Sequence, residues 1–124
     1  TQTAMLVRGD VAFHDYEGVA VDLDERERLV ADLSTKNAMI LRNHGTLAVG
    51  KNVGEGFVRL YFLERACQAQ VMALSAGDNL NNQPQGSPEI TSQQGQVGVA
   101  LAANLLAWPA LKRKAYRLDP SFAT

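Results

Sequence analysis

The chain has 124 residues, of which 46% are hydrophobic and 20% charged, and its formal net charge is -1. That length supports one domain with one core but not two, and the composition is that of an ordinary soluble globular protein. The near-neutral balance gives no electrostatic footprint for nucleic acid or an anionic membrane, and no apolar run approaches the length of a bilayer span. No charged-then-apolar signal segment opens the chain, and a lone cysteine, Cys67, excludes an internal disulfide and fits a reducing compartment. The cytoplasm is therefore the expected location. The chain begins at Thr1 and enters an apolar stretch at Ala4-Met5-Leu6-Val7, where domains usually have a polar lead-in. It is expected to be a piece of a longer protein.

Residues 4–14, AMLVRGDVAFH, predict a strand region broken by the Gly9-Asp10 turn signal. DLDERERLVADLS predicts a helix, with Asp22 as N-cap, Glu25 at capping-box spacing, and Leu23, Leu29, Val30 and Leu33 as a narrow buried stripe. Acidic residues in its first turn suit the positive end of the helix dipole. AMIL and TLAV predict two extended pieces broken at Asn43-His44-Gly45, with Gly45 supplying backbone freedom. A long helix is predicted over about 53–76, its apolar face formed by Phe57, Leu60, Leu63, Cys67, Val71 and Leu74, with Gly77 as its stop. Residues 78–92 read as an exposed loop. A last helix follows from about Thr91 to Leu106, and Pro109 is expected to kink or restart it. No internal repeat is visible, and the alternation of strands and helices favours an α/β layered domain.

Chemistry-bearing residues are few. His44 follows an apolar strand and precedes a glycine, so its imidazole is presented at a strand end, where α/β folds place site residues. Imidazole is a common metal ligand, but catalytic zinc needs about three protein ligands, and no pairing of His44 with His14 has a metal-binding spacing. His14, in FHDYEG, reads as part of a polar loop after a strand. Asp22, Asp24, Glu25 and Glu27 read as capping and solvated surface. VGKNVGEG lacks the Lys-Ser/Thr ending of a phosphate loop and reads as turn chemistry. There is no Gly-x-Ser-x-Gly elbow, and Cys67 lies on an apolar helix face. Lys112-Arg113-Lys114 reads as a solvated helix end. Tyr61 and Glu64 read as boundary packing, with Glu64 paired to Arg59 or Arg65.

The run AMILRNHGTLAVGKNVGEGFVRLYFLERACQAQVMALSAG closely resembles the class II aldolase/adducin family, and AFHDYEGVAVDLDERERLVADL resembles the segment preceding it in bacterial members. The resemblance extends from about residue 5 to the end. It implies an α/β/α layered domain around a central, mainly antiparallel sheet, with this chain as the C-terminal portion of a single domain whose N-terminal part is missing. It also implies a homo-oligomer, a small-molecule substrate, and in the enzymatic members a divalent metal, commonly zinc. Those members include sugar-phosphate aldolases, a pentulose-phosphate epimerase, a dehydratase and decarboxylases. In them the histidine of the Asn-His-Gly segment is a metal ligand, which maps onto His44. The metal polarises a substrate carbonyl and stabilises an enediolate as the C–C bond breaks. The two other ligand histidines, in a His-x-His segment, and the acid/base glutamate have no counterpart in this chain. The resemblance thus implies a metal-dependent lyase in the parent protein and an inactive fragment here. The alternative is a non-catalytic scaffold domain of the adducin kind, which CQAQVMALSAGDNL also resembles.

Overall fold

The computed structural model describes residues 1–19, 23–77 and 85–123, with the backbone alone at 96 and 97. Three short strands, β1 (Val11–His14), β2 (Ala38–Leu41) and β3 (Gly45–Ala48), form one sheet in the order β1-β2-β3. The first pair is parallel, with Val11 opposite Ala38, and the second antiparallel, with Leu41 opposite Gly45. Side chains alternate across a strand, so Phe13, Ile40 and Thr46 form one row on one face. The Thr46 hydroxyl donates to Glu64 at 2.6 Å, which places the long helix Val53–Leu74 on that face. Ala12 and His14 point the other way, and His14 Nδ1 meets Asp32 of the helix Glu25–Leu33 at 2.7 Å. The expected α/β/α layering follows directly from these two contacts.

In chain order the helices are α1 (Gln2–Arg8), α2 (Glu25–Leu33), α3 (Val53–Leu74), α4 (Ser87–Ala102) and α5 (Trp108–Leu118). The extended reading of residues 4–8 is corrected: they belong to α1. An uninterrupted apolar run does not by itself separate a buried helix from a strand. Here the Thr1 hydroxyl caps the helix by accepting from the Ala4 amide, and α1 packs on α3 and α4. Gly95 admits the close approach, since a Cβ there would lie 3.0 Å from the Leu6 Cα. Helix α4 begins four residues earlier than expected. Pro88 sits in its first turn, where a missing N–H costs nothing. Pro109 does restart the helix: a π-helical segment, Ala103–Ala107, widens the chain just ahead of it, accommodating a ring that would clash with the carbonyl four residues back.

Other expectations shift in detail. The predicted N-cap Asp22 lies outside the described residues; Asp24 occupies the cap position of α2 and its side chain makes no capping hydrogen bond to the helix. The stripe on α2 is narrower than expected, because Leu23 and Val30 are exposed while Leu29 and Leu33 are half-buried. On α3 the buried residues are Gly54, Glu55, Val58, Leu63 and Ala66, so the apolar face turns away from the expected Phe57, Val71 and Leu74. Val58 packs with Val99 and Ala103 in the core. In the β2–β3 turn the left-handed residue is Asn43, at φ 55°, and Gly45 has ordinary φ. Gly77, at φ 58°, follows α3 in the left-handed form its stop role requires.

Two buried carboxylates tie the elements together. Asp10 accepts from the backbone amide of Asn37 and from its side-chain amide, both at 2.9 Å, and pairs with Arg59 of α3. It thereby joins the approaches to β1 and β2 to the helix. Glu55 accepts from the Lys51 amide at 3.1 Å and from the Asn104 side chain at 2.8 Å, while Asn52 caps α3 by accepting from the Glu55 amide at 3.0 Å. A Cβ on Gly50 would sit 2.6 Å from the Glu55 Cβ, so that residue lets the turn close onto the helix. Replacing Asp10 with Ala strands the Arg59 guanidinium; we expect a loss of about 3–5 kcal/mol, partly recovered in the Asp10→Ala/Arg59→Met double variant, measured by urea unfolding. The Asn104 amide, with the Lys51 N–H second, holds the Glu55 carboxyl below the usual glutamate range. A depressed carboxyl contributes stability above its unfolded pKa and loses it as pH falls through the folded value. Glu55→Gln is therefore expected to show a shallower loss of Tm on acidification than the original chain.

Candidate functional site

The carboxyl ends of β1 and β2 lie side by side because the two strands are parallel and in register, His14 opposite Leu41. Just beyond Leu41 the chain turns through Asn43 and His44, whose amide donates to the Leu41 carbonyl at 3.1 Å. The sequence-predicted ligand His44 is exposed, and its imidazole has no hydrogen-bond or ion-pair partner among the described residues. It stands at the edge of a small cavity of about 60 Å³, lined also by His14, Glu17, Glu25, Leu29 and Arg42.

His14 departs most from the sequence reading. It is the last residue of β1 rather than part of a loop, and its side chain is only 4% exposed. Nδ1 is engaged by Asp32, while Nε2 is buried without a hydrogen-bond partner. Nε2 faces Glu25 Oε1 at 3.7 Å and Glu17 Oε1 at 3.9 Å. The ligand atoms of His14, Glu17 and Glu25 all lie within 4.8 Å of one another. Arg28 clamps Glu17, its Nε lying 2.8 and 3.0 Å from the two oxygens, and Arg42 pairs with Asp15 at 3.2 Å. A signal for this grouping does exist in the sequence. Alternation along VAFH puts Ala12 and His14 on one face, and Glu25, Leu29 and Asp32 recur at helical spacing on α2. The capping interpretation of Glu25 hides it.

The remaining candidates separate cleanly. Burial, with Glu64 a second cause, pushes the Cys67 thiol up, which opposes the thiolate a nucleophile needs. Glu64 is paired with Thr46 rather than with an arginine; Arg59 goes to Asp10 and Arg65 lies over the Tyr61 ring at 5.4 Å. Lys112-Arg113-Lys114 is exposed on α5, as expected. Among the described residues no helix is long and apolar enough to cross a membrane.

A layered α/β domain with a histidine-bearing turn after its central strand defines a class, and comparison names it. Residues 1–71 match the family described as the Class II Aldolase and Adducin N-terminal domain, and the chain belongs to that family. A Caulobacter vibrioides protein assigned as an aldolase class 2 protein is 46% identical over 99% of this chain and 48% of its own length. Mouse alpha-adducin is 41% identical over 60% of this chain and 10% of the adducin. Among solved structures, an aldolase II superfamily protein from Pseudomonas syringae superposes with a TM-score of 0.82 at 42% identity, over 96% of this chain and 48% of that one. The L-fuculose 1-phosphate aldolase of Glaciozyma antarctica does so with 0.62 at 26%, over 85% and 41%. The chain thus spans about half the length of the Caulobacter relative and of both solved structures.

The two histidines differ in what their loss does to the fold. His44→Ala, at an exposed turn, is expected to change stability by less than about 0.5 kcal/mol. His14→Ala removes a buried hydrogen-bonded ring and is expected to cost about 1–3 kcal/mol. Paired thermal and urea unfolding measurements check both.

Proposed function

We propose that the whole protein to which this chain corresponds is a metal-dependent aldehyde-lyase of the class II aldolase type. It cleaves a C–C bond in a small sugar or hydroxy-carbonyl compound, works as a cytoplasmic homo-oligomer, and uses zinc. This chain is read as the C-terminal portion of its domain and as inactive alone. The observation carrying this reading is His44: an exposed imidazole without a protein partner among the described residues, held at the carboxyl end of the central strand. That is a fit for a ligand whose companions come from another part of the protein, here a His-x-His segment. A bound divalent metal supplies Lewis acidity toward a substrate carbonyl. The residues of this chain position that ligand: Asn43 in the left-handed form sets the turn, and the hydrogen bond from the His44 amide to the Leu41 carbonyl fixes the backbone that carries the ring.

A second reading is a non-catalytic scaffold domain of the adducin kind, favoured by the similarity to alpha-adducin. One experiment separates the two. The whole protein is purified, its zinc measured by elemental analysis, and aldol cleavage assayed on a panel of small phosphorylated and unphosphorylated hydroxy-carbonyl compounds. The lyase reading expects bound zinc and chelator-sensitive cleavage. Losing a ligand costs at least what losing an outer-shell partner does, about 10–100-fold, so His44→Ala should lose the zinc equivalent on which cleavage depends, binding it at least tenfold more weakly. Equal zinc in both proteins removes His44 from the ligand set, and absence of cleavage together with no zinc that depends on His44 favours the scaffold reading.

A further inference from the structure

We propose that His14, Glu17 and Glu25 form a site for a divalent transition-metal ion of the zinc, cobalt or manganese type, with Asp32 as its orienting outer residue. The site uses neither His44 nor an upstream histidine pair, and it stands or falls independently of the lyase reading.

The starting point is the orphaned nitrogen. Nε2 of His14 is buried in a side chain 4% exposed, has no hydrogen-bond partner, and is aimed at two carboxylates. Leaving such an atom without a partner costs about 1–3 kcal/mol. The separations are informative. At 3.7 and 3.9 Å, Glu25 and Glu17 stand too far from Nε2 for hydrogen bonds. Two ligands on a tetrahedral zinc with bonds of about 2.0–2.1 Å lie roughly 3.3 Å apart. Bringing each carboxylate to that distance from Nε2 takes a shift of roughly half an ångström. One ligand atom from each of the three residues lies within 4.8 Å of the other two.

The surroundings match the ligands. Metal-bound imidazoles almost always donate their other ring N–H to a carboxylate or carbonyl, which fixes the tautomer and raises ligand basicity. Asp32 does this at 2.7 Å from Nδ1. Glu17 is steadied by Arg28, and a carboxylate oxygen has a second lone pair to offer. The cavity of about 60 Å³ leaves room for solvent to complete the coordination shell. One imidazole with two carboxylates suits first-row transition ions; calcium and magnesium favour oxygen-only shells of six or more ligands. Glu25 and Asp32 are one face of α2 and His14 is the end of β1, so the ion would pin α2 to the sheet.

The chain has only two histidines, which makes the test direct. The protein, labelled with ¹⁵N at histidine, is titrated with zinc chloride alone and followed through its imidazole nitrogen resonances. We expect one equivalent of zinc to move Nε2 of His14 and leave the His44 ring in place. Glu25→Gln, a near-isosteric change, is expected to weaken binding at least tenfold with an unchanged circular dichroism spectrum, Asp32→Asn about 10–100-fold, and His44→Ala not at all. A shift confined to His44, no shift at millimolar zinc, or undiminished binding in Glu25→Gln would overturn the proposal. Because Glu25→Gln and Asp32→Asn leave the buried ring in place, the result does not depend on whether a His14 variant folds.

Discussion

The carboxylate of Asp10 is the constraint on which the rest of this structure depends. It is buried where α1 gives way to β1, and it is answered from two directions. Asn37 brings the start of β2 to it through two hydrogen bonds, and Arg59 brings α3. A buried ion pair is weak evidence for net stability, but removing one partner leaves a charge stranded and is strongly destabilising. The carboxylate holds Asn37 beside Asp10, and the next residue, Ala38, begins the parallel register with its amide donating to the Asp10 backbone carbonyl at 3.1 Å. Once that register is set, the carboxyl ends of both strands open at one edge of the sheet. That edge is where open α/β sheets bind their ligands.

The two histidines arrive there by different routes and with different environments. His14 comes from within a strand and is enclosed by acidic groups from α2 and from the chain just after β1. His44 comes from a turn and is left to solvent. One cavity touches both. The class of the protein is firm from its relatives.

Much of the fold was legible from local pattern. The strands at AMIL and after Asn43-His44, the long helix, its stop near Gly77 and the restart at Pro109 all follow from apolar runs and from glycine and proline. What was not legible depended on tertiary partners. AMLV is helical because α3 and α4 cover it. The buried face of α3 is rotated because Glu55, a charged residue, is drawn inward by Asn104 and the Lys51 amide. Likewise, FHDYEG read as a polar loop because its acidic neighbours dominate the composition. The alternation that buries His14 extends over only four residues, too short to outweigh them.

The packing of α1 has a consequence for how the chain is made. Gly9, at its end, donates to Ser92 at 3.0 Å, and Leu6 lies against Gly95. Those partners are about eighty residues away along the chain. Synthesis at about 5–20 residues per second leaves α1 waiting several seconds for α4. During that interval Leu6 is without the helix that will cover it, and a chaperone has an apolar side chain to bind.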